Sequence, residues 1–231
     1  MYEQLALPFS FNAELGFSEF HEGPNAELVE NLRQSATTNS PPLVFIWGDA
    51  GCGKTHLLNA SCIEASKAGS SSCVIPVDSL QSWGASSLEG LGDLDVVCLD
   101  NLDAVIGDPE WEDALFLLFN QLTDTNGTLI VAASGPPASL PFRLPDLQSR
   151  LCSGLTLRIL PLDDTDKLLM LERKAHALGL ELPPGVGRFL LARSQRDLPS
   201  LVSTMEQLDR ASLAAQRKLT IPFIKHILGE P

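Results

Sequence analysis

Residues 43–55 read Leu-Val-Phe-Ile-Trp-Gly-Asp-Ala-Gly-Cys-Gly-Lys-Thr. Five apolar residues of strand character run into G-x-x-x-x-G-K-T, and helical periodicity follows from about Thr55 to Ala68. A strand, a glycine-rich turn and a helix in that order form a phosphate cradle. Gly48, Gly51 and Gly53 let backbone N–H groups curl inward, and the helix directs its positive end to the same point. Lys54 is placed to bridge the β- and γ-phosphates of a nucleotide, and the Thr55 hydroxyl to join a Mg²⁺ shell. Cys52 and His56 sit inside or beside the motif, where lining the pocket and packing are equally good explanations; the same holds for Trp111.

Working outward, Val96-Val97-Cys98-Leu99-Asp100 ends an apolar strand on the carboxylate that a magnesium-bound nucleotide needs. The residue after it is Asn101, whose amide has no useful basicity at neutral pH, and neither Asp103 nor Asp108 is in register to replace it. The chain is thus expected to hold nucleotide and to hydrolyse it poorly. The strand that ends on Asp100 is expected over Leu94–Leu99, and further ones at Cys73–Val77, Thr128–Ala133 and Leu155–Leu160, with helices at Asn25–Arg33, from Pro109, and at Leu144–Leu151. Residues 36–42 read as a loop, being polar and proline-terminated. Apolar strands alternating with helices predict an α/β fold, a five-stranded parallel sheet covered on both faces. After Pro161 strand signals stop, and four helices are expected: Thr165–Leu178, Gly185–Arg193, Leu198–Gln216 and Ile221–Leu228. The predicted organisation is an extended tail (1–12), an α/β nucleotide-binding base (13–162) and a small all-helical lid (163–231).

The net charge of −13 is uneven. Residues 1–142 hold 19 acidic and 3 basic side chains, whereas 143–231 hold 10 acidic and 13 basic. The first part would repel a phosphate backbone, so tight direct binding to free DNA is not expected. The five cysteines form no CxxC pair and the four histidines no ligand spacing, which argues for reduced core thiols and against a protein-only metal site. No apolar run reaches the roughly 18 residues of a membrane span. The first basic residue is Arg33, so no leader peptide is recognised and a soluble, cytoplasmic location is expected.

Sheet, helical lid, phosphate loop, Asp100 and a late arginine together look like an AAA+ module. Three further runs narrow the likeness: Leu144-Pro-Asp-Leu-Gln-Ser-Arg150-Leu, Gly187-Arg-Phe-Leu-Leu191, and Gln207-Leu-Asp-Arg-Ala-Ser-Leu213 with Gln216-Arg-Lys-Leu-Thr-Ile-Pro-Phe223. From Gln4 to about Leu228 the chain resembles the Hda family, DnaA-related AAA+ proteins that inactivate the replication initiator DnaA. On residue type alone Arg150 is an ordinary surface arginine at a helix end. The resemblance makes it an arginine finger acting in trans on ATP held by DnaA. It also makes Arg196 a lid sensor of bound phosphates and Ser134 the polar sensor, and it implies ADP (or ATP) with Mg²⁺ in the chain's own pocket. Gln4-Leu5-Ala6-Leu7-Pro8-Phe9 resembles the peptide that docks in the groove of the DNA polymerase III sliding clamp (its beta subunit), with a polar anchor followed by apolar ones. Packing of this tail on its own domain is the other explanation. The implied partners are DnaA, the clamp and, through it, DNA; a homodimer or higher oligomer stays open, and no membrane contact is implied.

The expected function is therefore negative regulation of replication initiation, with the chain a co-activator of hydrolysis on DnaA rather than a strong ATPase itself. The alternative is a self-sufficient AAA+ ATPase acting as a loader or remodeller, and the residue at 101 discriminates the two. Initiator-type DNA binding would need a helix-turn-helix domain after the lid, for which the sequence to Pro231 leaves no room. A P-loop kinase would need an acceptor pocket that no residue pattern suggests.

Overall fold

The five strands are β1 (Leu43–Trp47), β2 (Ser72–Pro76), β3 (Val96–Asp100), β4 (Thr128–Ala133) and β5 (Leu155–Arg158), in a computed structural model that describes residues 15–193, 198–215 and 218–228. All pairings are parallel, and the order across the sheet is β2-β3-β4-β1-β5. Because successive residues of a strand face opposite sides, a sheet buried on both faces must be apolar throughout. Phe45, Leu99 and Val131 enter one core, whereas Val44, Ile46, Cys98 and Ile130 enter the other. The first core is closed by α4 (Pro109–Asp124) and α5 (Pro145–Ser153), which add Leu115, Leu118, Leu122, Leu147 and Leu151. The second is closed by α1 (Ala26–Thr38) and α2 (Lys54–Lys67), which add Leu32, Leu57, Leu58 and Cys62. A one-turn helix, α3 (Val77–Leu80), follows β2, which ends at Pro76, one residue earlier than the sequence suggested.

Local chemistry explains the boundaries. Asp108 caps α4, its carboxylate accepting from the N–H groups of Glu110 and Trp111, with Pro109 behind it in the first turn where no N–H is needed. Helix α1 runs to Thr38, well beyond Arg33, and corrects the expected loop from Ala36. Its polar end satisfies itself: the Thr37 hydroxyl donates to the Arg33 carbonyl, that of Thr38 to Gln34, and Asn39 ends the helix in the left-handed conformation. Asn25, before α1, is buried. Its side-chain amide donates to the Leu160 carbonyl at 3.0 Å and accepts from the Leu160 N–H at 2.7 Å, fastening the entry of α1 to the chain beyond β5.

The described residues form two compact units that meet in sequence at Leu160 and Pro161. The second contains α6 (Asp164–Ala177), α7 (Pro184–Arg193), α8 (Leu198–Ala215) and α9 (Ile221–Ile227), packed around Leu171, Leu190, Leu201, Met205, Leu208 and Ile224. Asp163 caps α6 by accepting from the Asp166 N–H at 2.8 Å. Among the described residues, no helix is long and apolar enough to cross a membrane.

Candidate nucleotide-binding site

At the carboxyl end of the sheet three strand ends converge. In an open parallel sheet this is where ligands sit, because loops leave in opposite directions where the strand order reverses. The Gly48 N–H donates to the Ala133 carbonyl at 3.4 Å, so the start of the phosphate loop abuts the end of β4. Gly48 is closely packed: a Cβ there would lie 2.9 Å from Cys52 Sγ and 3.2 Å from the Ile159 carbonyl, so both neighbours would have to shift. Gly53 has φ 101°, and its Cβ would lie 2.8 Å from Phe20. The loop therefore turns directly into α2. No side chain caps α2, leaving its first N–H groups as donors with a partial positive charge for an anion.

Lys54 folds back over the loop, its ammonium donating to the carbonyls of Gly48 (2.8 Å) and Asp49 (3.0 Å). An ammonium has three donors, so this arrangement aims the charge at the cradle with one to spare. Thr55 Oγ1 donates to Asp100 Oδ2 at 2.5 Å, and Asp100 Oδ1 accepts from the Asn101 N–H at 2.9 Å. Asp100 is only 2% exposed. A hydroxyl and a carboxylate oxygen side by side at a phosphate cradle are the hard donors that Mg²⁺ takes together with phosphate oxygens. The residues present fit both a nucleotide phosphate and its cation.

Two placements go beyond the sequence reading. Asn101 has φ 56°, a conformation that asparagine tolerates far better than glutamate, so backbone shape is a second reason for an amide here. Asp103 spends both carboxylate oxygens on Ser134: Oδ2 accepts from its N–H at 2.8 Å and Oδ1 from its hydroxyl at 2.5 Å. Ser134 follows the end of β4, with its hydroxyl proton already committed. The nearest acid after Asn101 is likewise committed.

The segment before α1 was not singled out by sequence, and it forms a wall of the loop. Phe20 packs on Gly53 and meets the His56 ring edge-on at 5.4 Å between centroids. His56 Nε2 lies 2.9 Å from the Gly16 carbonyl, which can only accept, so Nε2 carries the proton. Cys52 is half-buried; burial raises its thiol pKa against the opposing pull of Lys54. Trp111 is a core residue at 4% exposure. Phe20 lies far upstream in sequence, and no local pattern marks it.

Arg150 sits on the exposed side of α5, its guanidinium over the Phe119 ring at 5.7 Å. Among the described residues, no hydrogen bond or ion pair joins it to the phosphate loop. Arg196 and the tail residues Gln4, Leu5, Leu7, Pro8 and Phe9 lie outside the described residues.

Comparison with known proteins matches this layout. A family model described as the bacterial DnaA ATPase domain covers residues 11–158, and one described as the Hda lid domain covers 164–228. Domain III of the Thermotoga maritima replication initiation protein DnaA superimposes with a TM-score of 0.83 at 21% identity, over 95% of this chain and 98% of that one. AMPPCP-bound DnaA from Aquifex aeolicus gives 0.76 at 23% identity, over 87% of this chain and 67% of that one. A Thermotoga maritima RuvB variant gives 0.68 at 14% identity, over 88% and 67%. The structural likenesses establish the fold, and the family models, which between them span most of the sequence, go further: the chain belongs to the bacterial DnaA ATPase-domain family of AAA+ proteins and carries an Hda-type lid.

Proposed function

We propose that this chain is a nucleotide-bound negative regulator of replication initiation that lends Arg150 to the hydrolysis of ATP held by DnaA while its amino-terminal segment docks on the DNA-loaded sliding clamp. In its own pocket, the N–H groups at the start of α2 and the Lys54 ammonium would hold the β-phosphate of ADP or ATP, and Thr55 and Asp100 would hold Mg²⁺. Bound there, the cation supplies positive charge to phosphate oxygens.

The observation that carries the proposal is the contrast between the pocket and Arg150. The pocket has phosphate and cation donors but, among the described residues, no free carboxylate where water would be polarised: Asn101 is an amide, and Asp103 is bound to Ser134. Arg150, in contrast, is exposed, and among the described residues its guanidinium rests on an aromatic face. An exposed cation–π contact is worth about 0.5–1 kcal/mol. A hydrogen bond to a charged group is worth about 1.5–3 kcal/mol. A γ-phosphate presented by a partner would therefore draw the guanidinium off Phe119. An arginine supplied in this way contributes about 10³–10⁵ in rate in GTPases. Clamp docking through Gln4, Leu7 and Phe9 would bring the acidic base close to DNA without contact with the phosphate backbone.

The test measures ATP turnover by the purified protein alone, then loss of DnaA-bound ATP when clamp-loaded DNA is added. Little turnover alone and rapid loss from DnaA are expected. Brisk turnover alone would favour the self-sufficient ATPase. A Gln4→Ala, Leu7→Ala variant that still co-elutes with the clamp would refute the docking assignment.

A further inference from the structure

We infer that Glu112 and Phe119, on one face of α4, together position the helix that carries Arg150; the inference rests on the trans-acting arginine proposed above. Glu112 is 0% exposed, an acid on the stripe of α4 that otherwise feeds the core. Among the described residues, its hydrogen-bond donors are backbone groups. Oε1 accepts from the N–H groups of Gly107 (2.7 Å) and Arg143 (3.1 Å), and Oε2 from those of Arg143 (2.9 Å) and Leu144 (2.6 Å). Leu144 is the N-cap residue of α5, and Pro145 after it has no N–H. The carboxylate thus holds the two N–H groups that lead into α5, and it ties the start of α5 to α4 and to the loop at Gly107.

Phe119 lies two helical turns along α4 from Glu112, and Arg150 lies six residues into α5 from Leu144. At 1.5 Å per residue these spans are about 10 and 9 Å, so one helix grips the other at two matched points. The first fixes where α5 begins. The second fixes where its guanidinium rests. Burying a carboxylate is costly unless every oxygen is satisfied. A leucine there would fill the apolar stripe but leave the N–H groups of Gly107, Arg143 and Leu144 without this acceptor. Alignment of a reacting group is unforgiving, since a 1 Å misplacement can cost about 10²-fold in rate.

The test uses the full chain with DnaA–ATP and clamp-loaded DNA. Glu112→Gln keeps the shape but turns an NH₂ donor toward backbone donors. It should lower the maximal stimulated rate about 10–100-fold while half-saturation with DnaA–ATP and the chain's own nucleotide affinity stay unchanged. Combining it with Arg150→Ala should lower the rate no further than Arg150→Ala alone. Phe119→Leu, which leaves the Glu112 bonds in place, should lower it less, and it keeps the test decisive if Glu112→Gln does not fold. A nitroxide on the exposed Cys152 of α5 gives a readout free of hydrolysis: both substitutions should increase label mobility below the melting transition. If Arg150→Ala stimulates like wild type, the arginine assignment fails and this inference with it. If Arg150→Ala is inactive but both α4 variants match wild type in rate and label mobility, only the positioning role is overturned.

Discussion

Gly53→Ala is the substitution with the most calculable consequence. Two costs add. At φ 101° an L-residue sits beyond the left-handed basin, for which the cost is about 1–2 kcal/mol. The new methyl would stand 2.8 Å from Phe20 Cε2, an overpacking contact of the kind that costs about 1–3 kcal/mol. The mid-range sum is about 3.5 kcal/mol, or roughly 7–14 °C in Tm for a protein of this size. Phe20→Leu should relieve the steric part, so the double variant should show a favourable coupling of about 1–3 kcal/mol, leaving the backbone part. The assay is urea unfolding followed by tryptophan fluorescence. Trp47, Trp83 and Trp111 all lie in the first unit, so the signal reports that unit alone. A Gly53→Ala variant within about 0.5 kcal/mol of wild type, the range of an inert surface change, would refute the claim that position 53 resists a side chain. An additive double variant would refute the contact with Phe20.

Other predictions concern the neighbours of this site. Asn101→Glu should cost about 1–2 kcal/mol, because glutamate resists φ 56°, yet raise intrinsic ATP turnover; unchanged turnover would mean that an acid at 101 is not the missing element. Thiol alkylation of the folded protein at pH 8 should modify exposed Cys152 first and Cys52 slowly, since burial raises the Cys52 pKa and the thiolate is the reactive form. Cys73, pushed up to about 12 by burial, should react only on unfolding, and mass mapping that found Cys73 modified early would contradict the core placement. The Asp95 carboxyl is held below its ordinary value by the hydroxyl and N–H of Ser71. Its stabilisation is therefore complete above the unfolded value and lost as pH falls through the lower folded one. Wild type and Asp95→Asn should differ in urea midpoint near neutral pH and converge as pH falls below the ordinary carboxylate range; a gap independent of pH would refute this.

The fold was legible because the decisive signals were local. Apolar runs of five or six residues, a glycine loop between strand and helix, and the loss of strand character after Pro161 each depend on neighbours in sequence. Boundaries slipped where satisfaction came from unexpected partners: α1 continued through Thr37 and Thr38 because their hydroxyls bond one turn back. In the site, Lys54, Thr55 and Asp100 were readable from a motif and a strand end. Phe20 was not, because contact with Gly53 across more than 30 positions leaves no trace in spacing. The role of Asp103 was hidden in a similar way, since its partner Ser134 lies on another strand end. Glu112 left a signal that went unread: it shares a helical face with Leu115, Phe119 and Leu122, where a charge calls for buried donors.

The most direct test of the account is a single-turnover measurement of ATP hydrolysis on DnaA, with clamp-loaded DNA and either the wild-type chain or Arg150→Ala. The account predicts that wild type accelerates the loss of ATP by orders of magnitude, whereas Arg150→Ala binds nucleotide and clamp normally and leaves DnaA-bound ATP intact. Equal acceleration by both proteins would contradict it.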